Sequence, residues 1–196
     1  RYNGGGLVRI ADELGDYLGG RVAGGLVFSE TLFNQNNSAS NSVELFQQLA
    51  QSMNLSRLVV ITTRGTASAS ELVINSMEPH AQVQLVGTTT FGKPVGQIAV
   101  DFCSQRLRPT AFETVNSLGQ GQYFQGLPVD CVAEDDITFP VGDVQEDSTA
   151  TALELLATGS CPVQSNAGGF EKTAADVAEF RPPRASTTAQ ATAYAY

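Results

Sequence analysis

Ser68 and Lys93 stand 25 positions apart, in Thr66-Ala67-Ser68-Ala69-Ser70-Glu71 and Thr90-Phe91-Gly92-Lys93, each shortly after a hydrophobic run. A lysine that has lost its proton can take the proton of a serine hydroxyl, so this pair points to a hydrolase that works without a catalytic histidine. Lys93 is the only lysine in residues 1–160, and its neighbours Phe91, Gly92, Pro94 and Val95 are apolar or small. To act as a base near neutral pH its pKa must fall about 3 units from 10.4, roughly 4 kcal/mol that burial and hydrogen bonding must impose. Ser68 falls where a strand gives way to a helix, and there the unpaired N–H groups and the helix dipole can hold an oxyanion. Ser68-x-x-Glu71 also reads as a capping box, in which hydroxyl and carboxylate only satisfy the first turn.

Other chemistry is weaker in the sequence. Gly87-Thr88-Thr89-Thr90-Phe91-Gly92-Lys93 spells the phosphate-loop pattern G-x-x-x-x-G-K, but Pro94 stands where a Ser or Thr should hold magnesium, and residues 97–100 read as extended. His80 is the only histidine. It follows Pro79 at the end of the Ser68 helix, about 18 Å along that helix from the serine, and reads as a solvated loop residue rather than a triad member. No grouping of His, Cys, Asp and Glu suggests a metal, and Asp135-Asp136 reads as an exposed acidic turn. Cys103, Cys131 and Cys161 allow three different single bridges and show no metal-ligand spacing; a disulfide would fit an oxidising compartment.

These residues need elements to hold them. Leu7, Ile10, Ala11, Leu14 and Leu18 recur at helical spacing, which predicts a helix over 7–18 stopped by Gly19-Gly20. A strand at 22–28, a polar loop at 34–41 and a helix marked by Val43, Phe46, Leu49 and Met53 are expected next. Leu58-Val59-Val60-Ile61 reads as a strand buried on both faces of a parallel sheet, followed by a helix from about Ser68 to Met77 closed by Pro79, and by a strand at 83–86. Strand, helix, strand in this order predicts an α/β layer with mostly parallel pairing. Residues 97–103 and 107–115 read as extended, and Leu153, Leu155 and Leu156 belong to a last helix starting near Asp147.

With 196 residues, one core is the default, here residues 1–160. Residues 161–196, rich in Asn, Gly, Pro, Thr and Ala, are expected to form a weakly ordered low-complexity tail. A net charge of −9, with Lys93 and Lys172 as the two lysines, leaves no basic stripe for phosphates, which argues against nucleic acid and against an anionic membrane surface. No apolar run approaches the roughly 20 residues that cross a bilayer. The opening residues read as a piece that has lost an upstream strand, so the lack of a leader excludes nothing.

Arg1-Tyr2-Asn3-Gly4-Gly5-Gly6-Leu7-Val8, the Ser68 segment, and the Lys93 segment with Gln97 four residues on resemble the core motifs of the carboxy-terminal processing peptidases, the S41 family of serine proteases. The likeness extends to Gly126-Leu127-Pro128-Val129-Asp130, similar to the family's Gly-Ile-x-Pro-Asp, and to the closing helix, so that it covers residues 1–158. It implies an α/β core of the ClpP and crotonase type. It also implies Ser68 as nucleophile, Lys93 as general base, Gln97 as the residue that orients the lysine, and an oxyanion hole from Ala69 N–H and a glycine of the 4–6 run, Gly5 or Gly6. Glu71 matches a supporting glutamate. The activity so implied is a serine endopeptidase with a Ser-Lys dyad, acting on protein or peptide substrates, including bonds near their C-termini. It needs neither cofactor nor metal, and the expected location is periplasmic or extracellular. The oligomeric state is left open.

The chain departs from the family in having Asn3-Gly4-Gly5-Gly6 where Asn-Pro-Gly-Gly is usual, and Pro94 where glycine usually follows the lysine. The family's common peptide-binding PDZ domain is not in it. S41-like domains also occur in retinoid-binding proteins of the eye, which gives the alternative: an inactive S41-like domain that binds a peptide or an apolar ligand. A structural or assembly domain is the third reading.

Overall fold

The computed structural model of the chain describes residues 1–162, so the expected tail lies outside the described residues except for its first two positions. The described elements run α1 (Val8–Ala23), β1 (Val27–Phe33), β2 (Ser42–Leu45), β3 (Arg57–Thr62), α2 (Ala69–Met77), β4 (Gln82–Gly87), β5 (Val95–Gln97), β6 (Val100–Phe102), β7 (Gln105–Leu107), β8 (Thr110–Val115), β9 (Cys131–Val132) and α3 (Asp147–Thr158). A 3-10 segment at Gln35–Ser40 occupies the expected polar loop.

The β3–α2–β4 unit is as the sequence suggests. Strands β3 and β4 pair in parallel from Arg57↔Gln82 to Thr62↔Gly87, and β9 adds to β4 in parallel. The apolar run of β3 is explained by what covers it. Val60 packs toward a cluster of Ile74, Leu85, Tyr123 and Leu127, while Val59 and Ile61 pack toward Val86, Cys131, Ala133, Ala152 and Leu155. One face therefore meets α2 and the other meets α3, although residues 58–61 are only partly buried and Thr62 alone is fully so. Helix α2 is buried along eight of its nine residues, with Leu72, Val73 and Met77 in a third cluster against Ala11, Phe28 and Phe46.

The sheets are mixed rather than mostly parallel. A second sheet, in the order β2-β1-β8-β5, is antiparallel throughout, and β6 and β7 form a hairpin. Connection length is the reason: a parallel return needs a crossover of a dozen or more residues, usually a helix. Eight residues join β1 to β2, and the link from β5 to β8 is taken up by the β6–β7 hairpin.

Four local expectations change. Gly19 and Gly20 do not stop the first helix but lie buried inside it, because neighbours press on them: a Cβ on Gly19 would sit 2.6 Å from the Phe46 ring, and one on Gly20 would sit 2.2 Å from the Gln47 carbonyl oxygen. The strand expected at 22–28 therefore starts later, at Val27, after Gly24 and Gly25. The helix expected through Val43, Phe46, Leu49 and Met53 is strand β2 followed by a loop. Of those four, only Phe46 is buried, edge-on to Phe28 at 5.1 Å, while Val43 and Met53 are exposed. His80 is packed rather than free in solvent: its Nε2 lies 3.0 Å from the Val27 carbonyl oxygen, and its ring sits against Phe46.

Of the three possible disulfides, Cys131–Cys161 forms, joining β9 to the residues beyond α3, and Cys103 is a free, exposed thiol. No described helix is long and apolar enough to cross a membrane.

Candidate active site

Ser68 sits on the turn between β3 and α2, with φ 56° and ψ −120°. A non-glycine residue with positive φ is held there only by its surroundings. Those surroundings are a set of main-chain bonds: Thr66 N–H to Thr63 O (2.8 Å), Phe91 N–H to Thr66 O (2.9 Å), and Ala67 N–H to Asn3 O (3.1 Å). The last bond brings the N-terminal segment against the residue next to Ser68. Gly5 goes closer still, with φ +83° and room for no side chain, since a Cβ there would lie 2.6 Å from both Ala67 O and Ala69 N.

Below this turn lies Glu71, fully buried in the first turn of α2. Its Oε2 accepts the Ser68 N–H at 2.8 Å and the Lys93 N–H at 2.9 Å. Its Oε1 accepts the Thr90 hydroxyl and the Gly92 N–H, each at 2.6 Å. One oxygen thus fastens the backbones of both Ser68 and Lys93, although they are distant in sequence. The Ser68-x-x-Glu71 spacing does more than cap a helix: the same carboxylate ties the helix entrance to the loop after β4.

That loop is shaped from its other side by the segment around Leu127. Thr90 N–H donates to Leu127 O at 3.2 Å, and Leu127 N–H donates to Thr90 Oγ1 at 2.7 Å. Arg64 adds a bond to Thr90 O at 3.0 Å. Burial pushes the Lys93 amine below its ordinary pKa, against the opposing pull of the Glu71 charge.

Gly6, Ser68, Ala69, Lys93 and Gln97 line one cavity of about 150 Å³, with Leu7, Val8, Leu72, Val95 and Phe112 supplying apolar wall. Gln97 Oε1 is buried there without a hydrogen-bond partner among the described residues. The structure therefore gathers Gly6, Ser68, Ala69, Lys93 and Gln97 around one space, with Glu71 underneath. Gly5 packs against the Ser68 turn, and its N–H is already given to Asn3 Oδ1 at 3.0 Å. A larger, open hollow of about 540 Å³ lies elsewhere, lined by Val22, Leu55, Glu78, Pro79 and His80 among others, and contains neither Ser68 nor Lys93.

Sequence reasoning missed a second knot of polar groups. Arg1 Nη1 donates to Glu146 Oε1 at 2.6 Å and to Asp135 Oδ1 at 3.2 Å, and the Tyr2 hydroxyl donates to the same Asp135 oxygen. Asp135 is thus a partner of the N-terminal segment and not a bare acidic turn. The signal for Glu146 was its place just before the closing helix, where a carboxylate caps the first turn, but nothing in the sequence tied it to Arg1.

The sequence model of peptidase family S41 matches residues 1–130, which include Ser68, Lys93 and Gln97. No curated protein sequence matches the chain. Among solved structures, a protein from Bacteroides fragilis assigned to the S41 proteases is 24% identical, with a TM-score of 0.74 over 80% of this chain and 43% of that one. The photosystem II D1 C-terminal processing protease is 23% identical, with a TM-score of 0.56 over 78% of this chain and 37% of that one. A protein from Parabacteroides merdae assigned as a peptidase is 19% identical, with a TM-score of 0.56 over 81% of this chain and 50% of that one. The chain thus spans half or less of the length of each of these structures, and it shares their mixed α/β fold.

Proposed function

The chain belongs to peptidase family S41, a family of serine peptidases, and from that premise we propose that its protein hydrolyses peptide bonds of protein substrates through an acyl-enzyme on Ser68, with neutral Lys93 as the base. The observation that carries this reading is the shared Glu71 oxygen, which holds the Ser68 and Lys93 backbones side by side at a cavity both residues line.

The Lys93 amine takes the Ser68 hydroxyl proton as the oxygen attacks the substrate carbonyl, and the resulting ammonium returns that proton to the leaving amine. Water then repeats the sequence on the acyl-enzyme. The lowered pKa of Lys93 favours the neutral starting form. Gln97 Oε1, buried and without a hydrogen-bond partner among the described residues, supplies an acceptor that can orient the lysine. The oxyanion is received by the Ala69 N–H at the start of α2 and by the Gly6 N–H. Gly6 is preferred to Gly5, whose N–H is already donated to Asn3. A processing role near substrate C-termini follows from the likeness to the D1 processing protease alone. The Cys131–Cys161 disulfide favours an exported location, periplasmic or extracellular.

The test is cleavage of a peptide substrate by the intact protein. Ser68→Ala and Lys93→Ala should each lower turnover about a thousandfold or more while leaving the circular dichroism spectrum unchanged. Turnover near wild type in either variant refutes the reading. A folded protein with no turnover at all would favour the ligand-binding alternative.

A further inference from the structure

The N-terminal segment that delivers Gly6 to the cavity is fixed at two points. At one end it touches the nucleophile turn, through Asn3 O to Ala67 N–H and the close packing of Gly5 on Ala67 and Ala69. At the other end Arg1, its side chain only 5% exposed, bonds to the wholly buried Glu146. Glu146 has little freedom of its own, since its oxygens also accept the N–H groups of Ser148 (3.2 Å) and Thr149 (2.9 Å) and the Thr149 hydroxyl (2.7 Å). Its position is therefore that of helix α3. Between the two fixed points Tyr2 takes φ 58°, a conformation that a non-glycine residue keeps only under constraint, and its hydroxyl is held by Asp135.

We propose that Arg1 and Glu146 are positioning residues for the oxyanion hole, setting the height of Gly6 over Ser68 from the first turn of α3. This rests on the peptidase reading above. The ion pair lies away from the cavity and touches no reacting atom, so its effect passes through the backbone of residues 2–6. An oxyanion donor works only when aimed at the place where charge develops, and a misplacement of about 1 Å is enough to lose about a hundredfold in rate. The pair spans 145 positions in the chain, so it also makes the oxyanion loop report on the seating of α3.

The experiment uses Arg1→Gln, Arg1→Lys and Glu146→Gln in the intact protein. Arg1→Gln should lower kcat on a peptide about a hundredfold with KM little changed, and Arg1→Lys should recover part of the loss. The pH at which the rate rises, which reports Lys93, should stay at its wild-type value. Amide hydrogen exchange should quicken at Ala67 and Gly5 while the amides of β3 and β4 keep their protection. Unchanged exchange at Ala67 and Gly5 overturns the proposal. So does loss of protection throughout β3 and β4, or a shift of the Lys93 limb together with kcat, because either would make Arg1 a general support of the fold. If the wild-type protein neither cleaves peptides nor reacts at Ser68, the peptidase reading fails by itself, and the exchange at Ala67 and Gly5 still decides the anchor.

Discussion

Glu71 and Glu146 are both fully buried glutamates at the start of a helix, and they are satisfied in opposite ways. Glu71 gathers three main-chain N–H groups and one hydroxyl from two loops. Glu146 takes two N–H groups and a hydroxyl from its own helix and a guanidinium from the far end of the chain. A carboxylate filled by backbone donors shapes the loops that donate to it. One neutralised by an arginine side chain joins segments that lie 145 positions apart in the chain. The first arrangement builds the Ser68–Lys93 neighbourhood, and the second places it within the rest of the fold.

The largest break in this comparison is expected from Glu71→Ala, which strands four donors, the Thr90 hydroxyl fully buried and three N–H groups partly so. It should cost about 4 kcal/mol in chemical denaturation and remove activity with it. Glu71→Gln is the sharper variant, because it keeps the shape and removes the charge. Since the Glu71 charge raises the Lys93 pKa, its loss should lower that pKa further and move the onset of activity to lower pH. An onset moved upward would contradict the assignment.

Reduction of Cys131–Cys161 comes next. The bridge closes a separation of 30 residues, for which chain entropy alone gives about 3–4 kcal/mol, measurable as the shift in unfolding midpoint on adding a reductant. Acid should then weaken the Glu146 knot. Burial alone would raise that carboxyl, but hydrogen bonds from Arg1, Thr149 and Ser148 outweigh it and hold the group well below the usual range. Its contribution is therefore complete above the unfolded pKa of about 4.3 and fades as pH falls below it. Glu146→Gln should flatten that acid limb in a pH series of thermal melts.

The smallest effect is at Asp12, which burial, with Glu44 and Asp16 nearby, pushes up to about 7. The folded value lies above the unfolded one, so this contribution is full below about pH 3.9 and lost as pH rises through 7. Asp12→Asn should raise the melting temperature by about 2–4 °C at pH 8 and leave it unchanged at pH 4.

The parallel layer was legible because its signals are local. Residues 58–61 form an unbroken apolar run, β-branched except at Leu58, and Ser68, Glu71, Leu72 and Met77 mark one helix within ten positions. The cavity residues were legible for the same reason, since Ser68, Ala69, Lys93 and Gln97 stand in short motifs at strand ends. The antiparallel sheet was not, because Val43, Phe46, Leu49 and Met53 carry helical spacing by coincidence, and only pairing with β1 decides the outcome. Gly19 and Gly20 misled for a related reason: a glycine needed for close packing by Phe46 looks the same in sequence as one that ends a helix. The bond from Arg1 to Glu146 depends on tertiary placement alone, which no spacing encodes.

The chemistry of the site turns on the activation of Ser68 by a neutral Lys93. It is tested most directly by the rate at which a fluorophosphonate modifies the intact protein across pH, with the modified residue located by mass spectrometry. Modification is expected at Ser68, at a rate that rises with an apparent pKa below the ordinary lysine value of about 10.4, and the reaction should be lost in Lys93→Ala. Modification elsewhere, or a Ser68 rate that is the same with and without Lys93, would contradict it.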